Sequence, residues 1–246
     1  MMPTLHTTGS NTHQLIWGMI KMIEVTYIDH MGSDLSVVNA ARVSFGKESL
    51  WNWSKELDSD TGDGRTLRER DTKLIKYLAK HRHMSPFGHA FASFHVKAPI
   101  FVARQLVKHK FLRWNEISRR YIKSDPEFYY PNHYRQASND KKQGSGERVS
   151  DTVANASIKN VTRHMAQCLI QYQNLLSDGV CEEQARMVLP QSTMTEWYWS
   201  GSLDAFIDMC NLRCKSDTQY ETRLVADYIR SEMKKIFPVS VEALVN

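Results

Sequence analysis

The sequence lacks any apolar run near the roughly 20 residues that a membrane-spanning helix needs. It also lacks, at its beginning, a basic stretch followed by a sustained apolar core, which is the pattern of a secretory signal. Only four of its 246 residues are cysteines, and no two of them have C-x-x-C spacing. These absences argue against a membrane protein and against a disulfide scaffold, and they predict a soluble, cytoplasmic protein.

Two of the cysteines, Cys210 and Cys214, lie four residues apart in an apolar helical pattern. Buried or half-buried thiols are the favoured interpretation and a metal-binding pair is the alternative. We predict no metal site. The formal net charge of +5 fits an anionic ligand without identifying one.

The order of the predicted elements indicates an α+β fold, with several helices around a small antiparallel sheet. Residues 1–21 read as a flexible extension, with Met19 and Met22 as alternative starts, and residues 22–246 read as a single catalytic domain. The stretch 138–147, SNDKKQGSGE, predicts a polar surface loop. Strands are predicted at 22–28, 90–98 and 193–200. Helices are predicted from Asp34, with this residue as an acidic N-cap, and over 66–83, 100–110, 149–179 and 181–187, with two more from Leu203 and Asp217.

The most unusual segment is KHKFLRWNEISRRY, residues 108–121, in which two Lys, three Arg and one His surround an aromatic and aliphatic minority. On the helix predicted after Pro99, Arg104 is four residues from Lys108 and Gln105 is four residues from His109, so two polar stripes adjoin. A solvated basic face is the ordinary interpretation of such a charge cluster. The interleaved apolar residues and the mixed donors and acceptors favour a ligand site instead.

The residue types of this segment suit a nucleotide. Lys108, Ser118 and Arg120 are suitable donors for a phosphate. A base or a ribose needs directional donors and acceptors, which Gln105, Asn115 and Glu116 can supply. Nucleic acid is the rival ligand, because basic and aromatic residues also form stacking grooves. It is disfavoured because the feature spans only about a dozen residues and the net charge is modest.

Two further arginines lie near predicted helix ends. Arg186 belongs to ARMVLP, and Arg213 to LRCKSDTQYETR, in which Gln219 and Glu221 begin the next helix. An arginine near a helix C-terminus is often only a cap or a partner of the helix dipole, so neither position alone indicates a functional site.

Taken together, these segments resemble the flavin-dependent thymidylate synthase family. The signature of that family is R-H-R, seven residues and Ser, and this chain has Lys108, His109 and Lys110, seven residues and Ser118. Other segments have counterparts in order, namely MGSDLSVVNAARVSF, KHRHMSPFGH, FHVKAPIFVARQ, ARMVLP, LRCKSDTQYE and FPVSVEAL. The resemblance covers nearly everything from Met22 to Leu244.

The resemblance implies an FAD-dependent enzyme that methylates dUMP at C5 to dTMP. Methylene-tetrahydrofolate would donate the carbon, and flavin reduced by NADPH would donate the hydride. The family also implies a homotetramer with active sites shared between subunits. Because its members use no cysteine nucleophile, the four cysteines need no catalytic role.

The resemblance further implies which positions form the site. The nucleotide residues carried over by position are Gln105, Lys108, Glu116, Ser118, Arg120, Arg186 and Arg213. Of these, Ser118, Arg120 and Arg186 are assigned to the phosphate, and Lys108 to the region between nucleotide and flavin. Arg213 is assigned to polarising the pyrimidine, so the expected catalytic residues are Arg213 and Lys108. The FAD residues carried over are Ser44, His83, Ser85, His109, Lys110 and Phe111.

The chain departs from the family mostly at flavin positions. Both signature arginines are lysines, which keep the charge but lose the planar fork. Arg113 stands where the longer pattern has Ser, and the remaining departures are Gly88, Ser202, Asp204 and Asp217. Three interpretations follow: a divergent thymidylate synthase, a related transferase that delivers a methyl or hydroxymethyl group to C5 of dCMP or dUMP, and a non-catalytic nucleotide- or nucleic-acid-binding protein.

Overall fold

The computed structural model describes residues 20–53, 64–122, 124–138 and 144–245. Except for residues 20 and 21, the predicted extension lies outside the described residues, and so do residues 139–143 of the predicted polar loop. Backbone bonds join the segments on either side of that loop, because the N–H of Gln136 donates to the oxygen of Glu147 at 2.8 Å. The N–H of Gly146 donates to the oxygen of Gln136 at 2.9 Å.

The chain forms two compact units. The sheet unit comprises residues 24–97, 104–116 and 196–246, and the long-helix unit comprises residues 1–23, 98–103 and 117–195. The assignment of residues 22–246 to one catalytic domain stays a prediction.

Strands and helices are interspersed along the chain, and the last three elements are helices. The strands are β1 (Ile20–Lys21), β2 (Glu24–Met31), β3 (Asn52–Trp53), β4 (Arg65–Thr66), β5 (Phe91–Pro99), β6 (Leu112–Glu116), β7 (Phe128–Tyr129) and β8 (Met194–Ser202). The helices are α1 (Asp34–Arg42), α2 (Glu69–Lys80), α3 (Ile100–Leu106), α4 (Asp151–Ser177), α5 (Glu182–Ala185), α6 (Leu203–Arg213), α7 (Tyr220–Ile236) and α8 (Pro238–Leu244). None of the described helices is both long and apolar enough to cross a membrane.

The main sheet has four strands in the order β2-β5-β8-β6. Strand β2 runs antiparallel to β5, and β6 runs antiparallel to β8. Alternate side chains of β5 and β8 are buried, among them Phe94, Trp197 and Trp199, as expected for a sheet with one face on the core. From β6, Trp114 stacks on Trp197 with ring centroids 4.3 Å apart. The predicted α+β fold with a small antiparallel sheet is confirmed.

Helices α6, α7 and α8 pack against one another in the sheet unit. Helix α6 contributes Phe206, whose ring meets Trp199 edge-on at 5.5 Å. Helix α7 buries Val225, Ile229 and Met233 at helical spacing and packs against α6. Helix α8 packs against α2 and α7. This packing holds the C-terminal end of α6 and the N-terminal end of α7 in fixed positions.

The predicted helix over 100–110 is too long. Helix α3 ends at Leu106, and the backbone then turns, with the N–H of His109 donating to the oxygen of Leu106 at 3.1 Å. Phe111 has a φ of 65°, which no helix continues through. Lys108 and His109 therefore lie beyond the helix, and the inference of two adjoining helical stripes was wrong.

The expectation that Asp34 caps α1 was also wrong, because Ser33 occupies the N-cap position. The buried Asp34 carboxylate instead accepts the backbone N–H groups of Val239 and Ser240, each at 2.9 Å. It thereby caps α8, some 200 residues later in the chain. Burial raises the pKa of Asp34, although the two N–H donors oppose this shift.

Replacing Asp34 with Ala is expected to destabilise the fold by about 2–4 kcal/mol, because it leaves two N–H donors at the buried start of α8 without an acceptor. Urea unfolding of the parent and the variant measures the difference. The exposed Asp208 provides the control, since Asp208→Ala should change the stability by no more than about 0.5 kcal/mol. Equal effects of the two substitutions would contradict the capping role of Asp34.

Candidate active site

A half-buried contact between His109 and Arg213 is the centre of the candidate site. The Nε–H of Arg213 donates to Nε2 of His109 at 3.0 Å. An Nη2 hydrogen of Arg213 is directed at the backbone oxygen of Gln105 at 3.4 Å. Arg213 is the last residue of α6, so the packing of that helix carries its side chain to the end of α3. The contact thus fixes the guanidinium beside two residues from a distant part of the sequence.

The electrostatics of this pair favour a neutral histidine. Burial, and then the positive charge of Arg213, lower the pKa of His109 from 6.5 to about 4. Because Nε2 accepts a hydrogen bond from Arg213, the ring hydrogen is assigned to Nδ1. Burial also lowers the pKa of Arg213, but a guanidinium remains charged at neutral pH. The neutral ring of His109 therefore holds the charged guanidinium of Arg213 in a fixed position.

This pair should make the stability depend on pH. The unfolded chain takes up a proton on His109 as the pH falls through 6.5, whereas the folded protein does so only near pH 4. The contribution of His109 is therefore complete above pH 6.5 and is lost as the pH falls to 4. Allowing for screening of a partly exposed ring, we expect a loss of about 1 kcal/mol between these limits.

The measurement is denaturant unfolding at pH 7.5 and at pH 5 in the parent and in His109→Gln. The Gln side chain can accept a hydrogen bond from Arg213 without titrating. On acidification the variant should therefore lose about 1 kcal/mol less stability than the parent. An identical pH dependence in both proteins would show that His109 does not contribute.

A second set of polar side chains joins α3 to the start of α7. The amide Nε2 of Gln105 donates to Oε1 of Gln219, and the hydroxyl of Thr222 donates to Oε1 of Gln105 at 3.2 Å. The Nε2 of Gln219 in turn donates to Glu221 at 3.3 Å. Glu221 and Thr222 are 3% and 0% exposed, whereas the two glutamines are half-buried, so the two ends of this set of bonds are shielded from water. The oxygen and one Nε2 hydrogen of the Gln105 amide thus have protein partners.

Glu116 is placed by the aromatic core of the sheet. It ends β6 opposite Trp197, and its Oε2 accepts from the indole Nε1 of Trp114 at 3.0 Å. Because Trp114 is stacked on Trp197, this bond ties an exposed carboxylate to a rigid support. The residue type and setting suit recognition of a ribose or a base.

The segment of Lys108, Lys110 and Phe111 presents two cations and an aromatic ring to solvent. Phe111 is 85% exposed and has a left-handed backbone, which is unusual for a bulky residue and typical of functional segments. The segment lies close to Gly201, where a Cβ atom would approach Leu112 to 2.4 Å and the oxygen of Phe111 to 3.2 Å. Gly201 therefore permits the backbone position of this loop.

The predicted flavin residues Ser44, His83 and Ser85 all lie in turns of the sheet unit. Ser44 is in the 3-10 turn Val43–Phe45 that follows α1, and Ser85 begins the 3-10 turn Ser85–His89. That second turn is anchored by the buried Phe87 and packs against α1 and α6. All three predicted flavin residues are exposed. His83 follows Arg82, which has a φ of 57°, so a second left-handed residue flanks a predicted flavin position.

The three predicted phosphate residues lie in the long-helix unit. The Nε–H of Arg120 donates to the hydroxyl of Ser118 at 3.1 Å, which brings a cation and a hydroxyl together in one tight turn. The guanidinium of Arg120 also lies 4.9 Å from the ring of Tyr121. Arg186 is exposed, begins the 3-10 turn Arg186–Val188, and donates to the oxygen of Glu183 at 3.3 Å.

The structure thus groups the predicted residues only in part. It brings together Gln105, His109 and Arg213, and separately Ser118 and Arg120. It adds Thr222, which sequence reasoning missed, and gives Gln219 and Glu221 specific partners. The sequence signal that could have indicated Thr222 is the run of polar residues at the start of α7, whose later positions include a buried apolar stripe.

Comparison with known proteins places these features in a family context. The family profile described as Thymidylate synthase complementing protein matches residues 26–239. A flavin-dependent thymidylate synthase of Kosmotoga olearia is 38% identical over 229 residues, which cover 93% of this chain and 90% of that protein. One from Thermus thermophilus is 38% identical over 216 residues, covering 88% of this chain and 73% of that protein.

Solved structures are similar as well. The UMP/dUMP methylase PolB from Streptomyces cacaoi, bound with 5-Br dUMP, is 32% identical with a TM-score of 0.76. The match covers 91% of this chain and 95% of that chain. The structure of the same methylase bound with 5-Br UMP gives 31% identity and a TM-score of 0.76, with 90% and 93% covered.

Proposed function

This chain belongs to the thymidylate synthase complementing protein family, and on that premise we propose that it methylates dUMP at C5 to give dTMP. Methylene-tetrahydrofolate is the proposed carbon donor, and NADPH the proposed reductant of FAD. We further propose a cytoplasmic homotetramer with shared active sites. The observation that carries the proposal is the fixed cation of Arg213, held by a neutral histidine and by the end of α3.

The donor set of the predicted flavin positions fits FAD. A pyrophosphate needs cations and hydroxyl groups, which Lys110, Ser44 and Ser85 supply, and an isoalloxazine ring needs an exposed apolar surface such as Phe111. When bound, FAD would supply the hydride of the reductive methylation. The departures Lys108 and Lys110 keep the charge and lose bidentate bonding, so the proposal includes a weaker contact to the flavin.

The residues of this chain would bind and polarise the nucleotide. Ser118, Arg120 and Arg186 would hold the phosphate, while Gln105 and Glu116 would orient the ribose or base. Lys108 would lie between nucleotide and flavin. Arg213 would stabilise negative charge on a pyrimidine oxygen as C5 becomes nucleophilic. His109, neutral and bonded to Arg213, would keep that cation in place.

Methylation of UMP is the second candidate activity. It is favoured by the similarity to PolB, which is described as a UMP/dUMP methylase and has a structure bound with 5-Br UMP. A hydroxyl at the ribose 2′ position is the difference that the site would have to accept. Activity on dCMP and delivery of a hydroxymethyl group remain alternatives without such support.

The test is an FAD titration of the purified protein, followed by flavin absorbance and fluorescence, with and without dUMP, UMP or dCMP. Saturable binding that responds to dUMP supports the proposal. A response to UMP of equal size supports the second candidate. A response to dCMP alone indicates that the substrate base is cytosine and not uracil. Absence of FAD binding under every condition overturns the flavin mechanism. Light scattering of the same sample tests the tetramer.

A further inference from the structure

Hydrogen bonds connect Thr222, Gln105, Gln219 and Glu221, and in each bond the donor is on the Thr222 side and the acceptor on the Glu221 side. Of these four residues, Glu221 alone fixes this donor-to-acceptor order. A hydroxyl group can donate or accept, and an amide offers a donor at one end and an acceptor at the other. An ionised carboxylate only accepts. Gln219 must therefore turn its nitrogen towards Glu221 and its oxygen towards Gln105. The amide of Gln105 must then turn its nitrogen towards Gln219.

The environment makes this direction persistent. Glu221 and Thr222 are buried, so water cannot readily replace the bonds at these two ends of the chain when an amide reverses. The three α7 residues lie in the first turn or at the N-cap of one helix, which packs firmly against α6. Reversal of Gln105 would place two amide nitrogens or two oxygens face to face. Such contacts are unfavourable in a shielded site.

We propose that Glu221 is a positioning residue, which acts through Gln219 to fix the orientation in which Gln105 meets the nucleotide. The inference rests on the proposed function, because it takes Gln105 as a nucleotide contact. Pyrimidine carbonyls and ribose oxygens accept hydrogen bonds. The second Nε2 hydrogen of Gln105 is the group suited to them, and a reversed amide would offer an oxygen in its place.

The experiment is calorimetric titration of the folded protein with dUMP in the parent and in Glu221→Gln. The substitution keeps the shape but lets residue 221 donate or accept, so both directions of the chain become accessible. We expect the Kd for dUMP to rise about three- to tenfold. In steady-state assays KM should rise by a similar factor while kcat stays nearly constant. Gln219→Met, which breaks the chain, should give the same result if Glu221→Gln does not fold.

A double variant distinguishes an effect of hydrogen-bond direction from an effect of losing the carboxylate at position 221. In Gln219→Glu combined with Glu221→Gln, the obligate acceptor moves to position 219, where it still receives the nitrogen of Gln105. The orientation of Gln105 is restored, and the Kd should return to within about twofold of the parent. A merely structural role for Glu221 predicts no such rescue.

Glu232→Gln is the matched control, because Glu232 lies on the same helix and accepts from its exposed neighbour Lys235, at 2.6 Å. Its Kd should equal that of the parent. Parent-like affinity for dUMP in both Glu221→Gln and Gln219→Met overturns the inference. A double variant that binds dUMP as weakly as Glu221→Gln overturns it as well. If the parent itself binds neither dUMP nor UMP, the proposed function fails first, and the inference fails with it.

Discussion

Replacement of Arg213 with Ala is expected to lower kcat about 100- to 1,000-fold while the protein remains folded. The substitution removes the cation that is held between His109 and the backbone oxygen of Gln105. A preorganised donor aimed at developing negative charge has an effect of this size in other enzymes, because the charge develops in a site that water does not solvate well. The measurement is a single-turnover assay of dTMP formation with saturating dUMP.

Two further variants make the result specific to Arg213. Arg213→Lys keeps the charge but cannot reach both partners with a planar fork, so it should retain intermediate activity. Arg230→Ala removes the same charge from a surface ion pair with Asp227, at 3.0 Å, and should leave kcat unchanged. Near-normal turnover in Arg213→Ala would remove this residue from the mechanism.

Replacement of Asp71 with Ala is expected to destabilise the protein by about 3–5 kcal/mol, the largest effect on stability that we anticipate. Asp71 is completely buried in α2 and accepts from Arg42 Nη2 at 2.5 Å and from Ser49 Oγ at 2.9 Å. Removing the carboxylate leaves a mostly buried guanidinium without its counter-charge. Chemical denaturation followed by circular dichroism gives the free energy of unfolding.

This ion pair also supports a predicted flavin position. Arg42 ends α1 and directly precedes the turn that carries Ser44, so loosening Arg42 should weaken FAD binding as well. The exposed ion pair between Lys76 and Glu242, at 3.0 Å, supplies the control. Glu242→Ala should cost less than about 1 kcal/mol and leave FAD binding unchanged. If Asp71→Ala lowered the free energy of unfolding no more than Glu242→Ala does, Arg42 would have to find other partners in the variant.

Combining Arg42→Met with Asp71→Leu tests the origin of this cost. Apolar side chains of similar volume avoid the burial of any charge, so the double variant should be more stable than Asp71→Ala alone. An additive loss would indicate that packing at the two positions, and not the unpaired charge, dominates.

The sequence predicted local structure well where one period repeats over several turns. Val225, Ile229 and Met233 recur at helical spacing, and α7 forms there. Prediction failed at short or interrupted elements. Strand β6 was treated only as a basic cluster, because its few residues pair with a strand some 80 positions later in the chain, which no local pattern reveals.

The candidate site was predicted by residue type and not by partner. The family resemblance assigned Gln105, Ser118 and Arg213 to a nucleotide site, and this assignment stays a prediction. The resemblance did not indicate that His109 accepts a bond from Arg213. The resemblance implied that His109 is a flavin position, whereas in the structure this ring accepts a hydrogen bond from Arg213.

What the sequence determined by itself was therefore the set of amphipathic helices, the α+β class and the family. These depend on periodicity and on the order of short segments, which are properties of neighbouring residues. Only the tertiary structure decided the partners of the polar side chains. Gln105 meets Gln219, 114 positions away, and Asp34 meets Ser240, 206 positions away. The physical reason is that a polar group takes whichever partner helix packing brings within about 3 Å, and packing is a property of the whole fold.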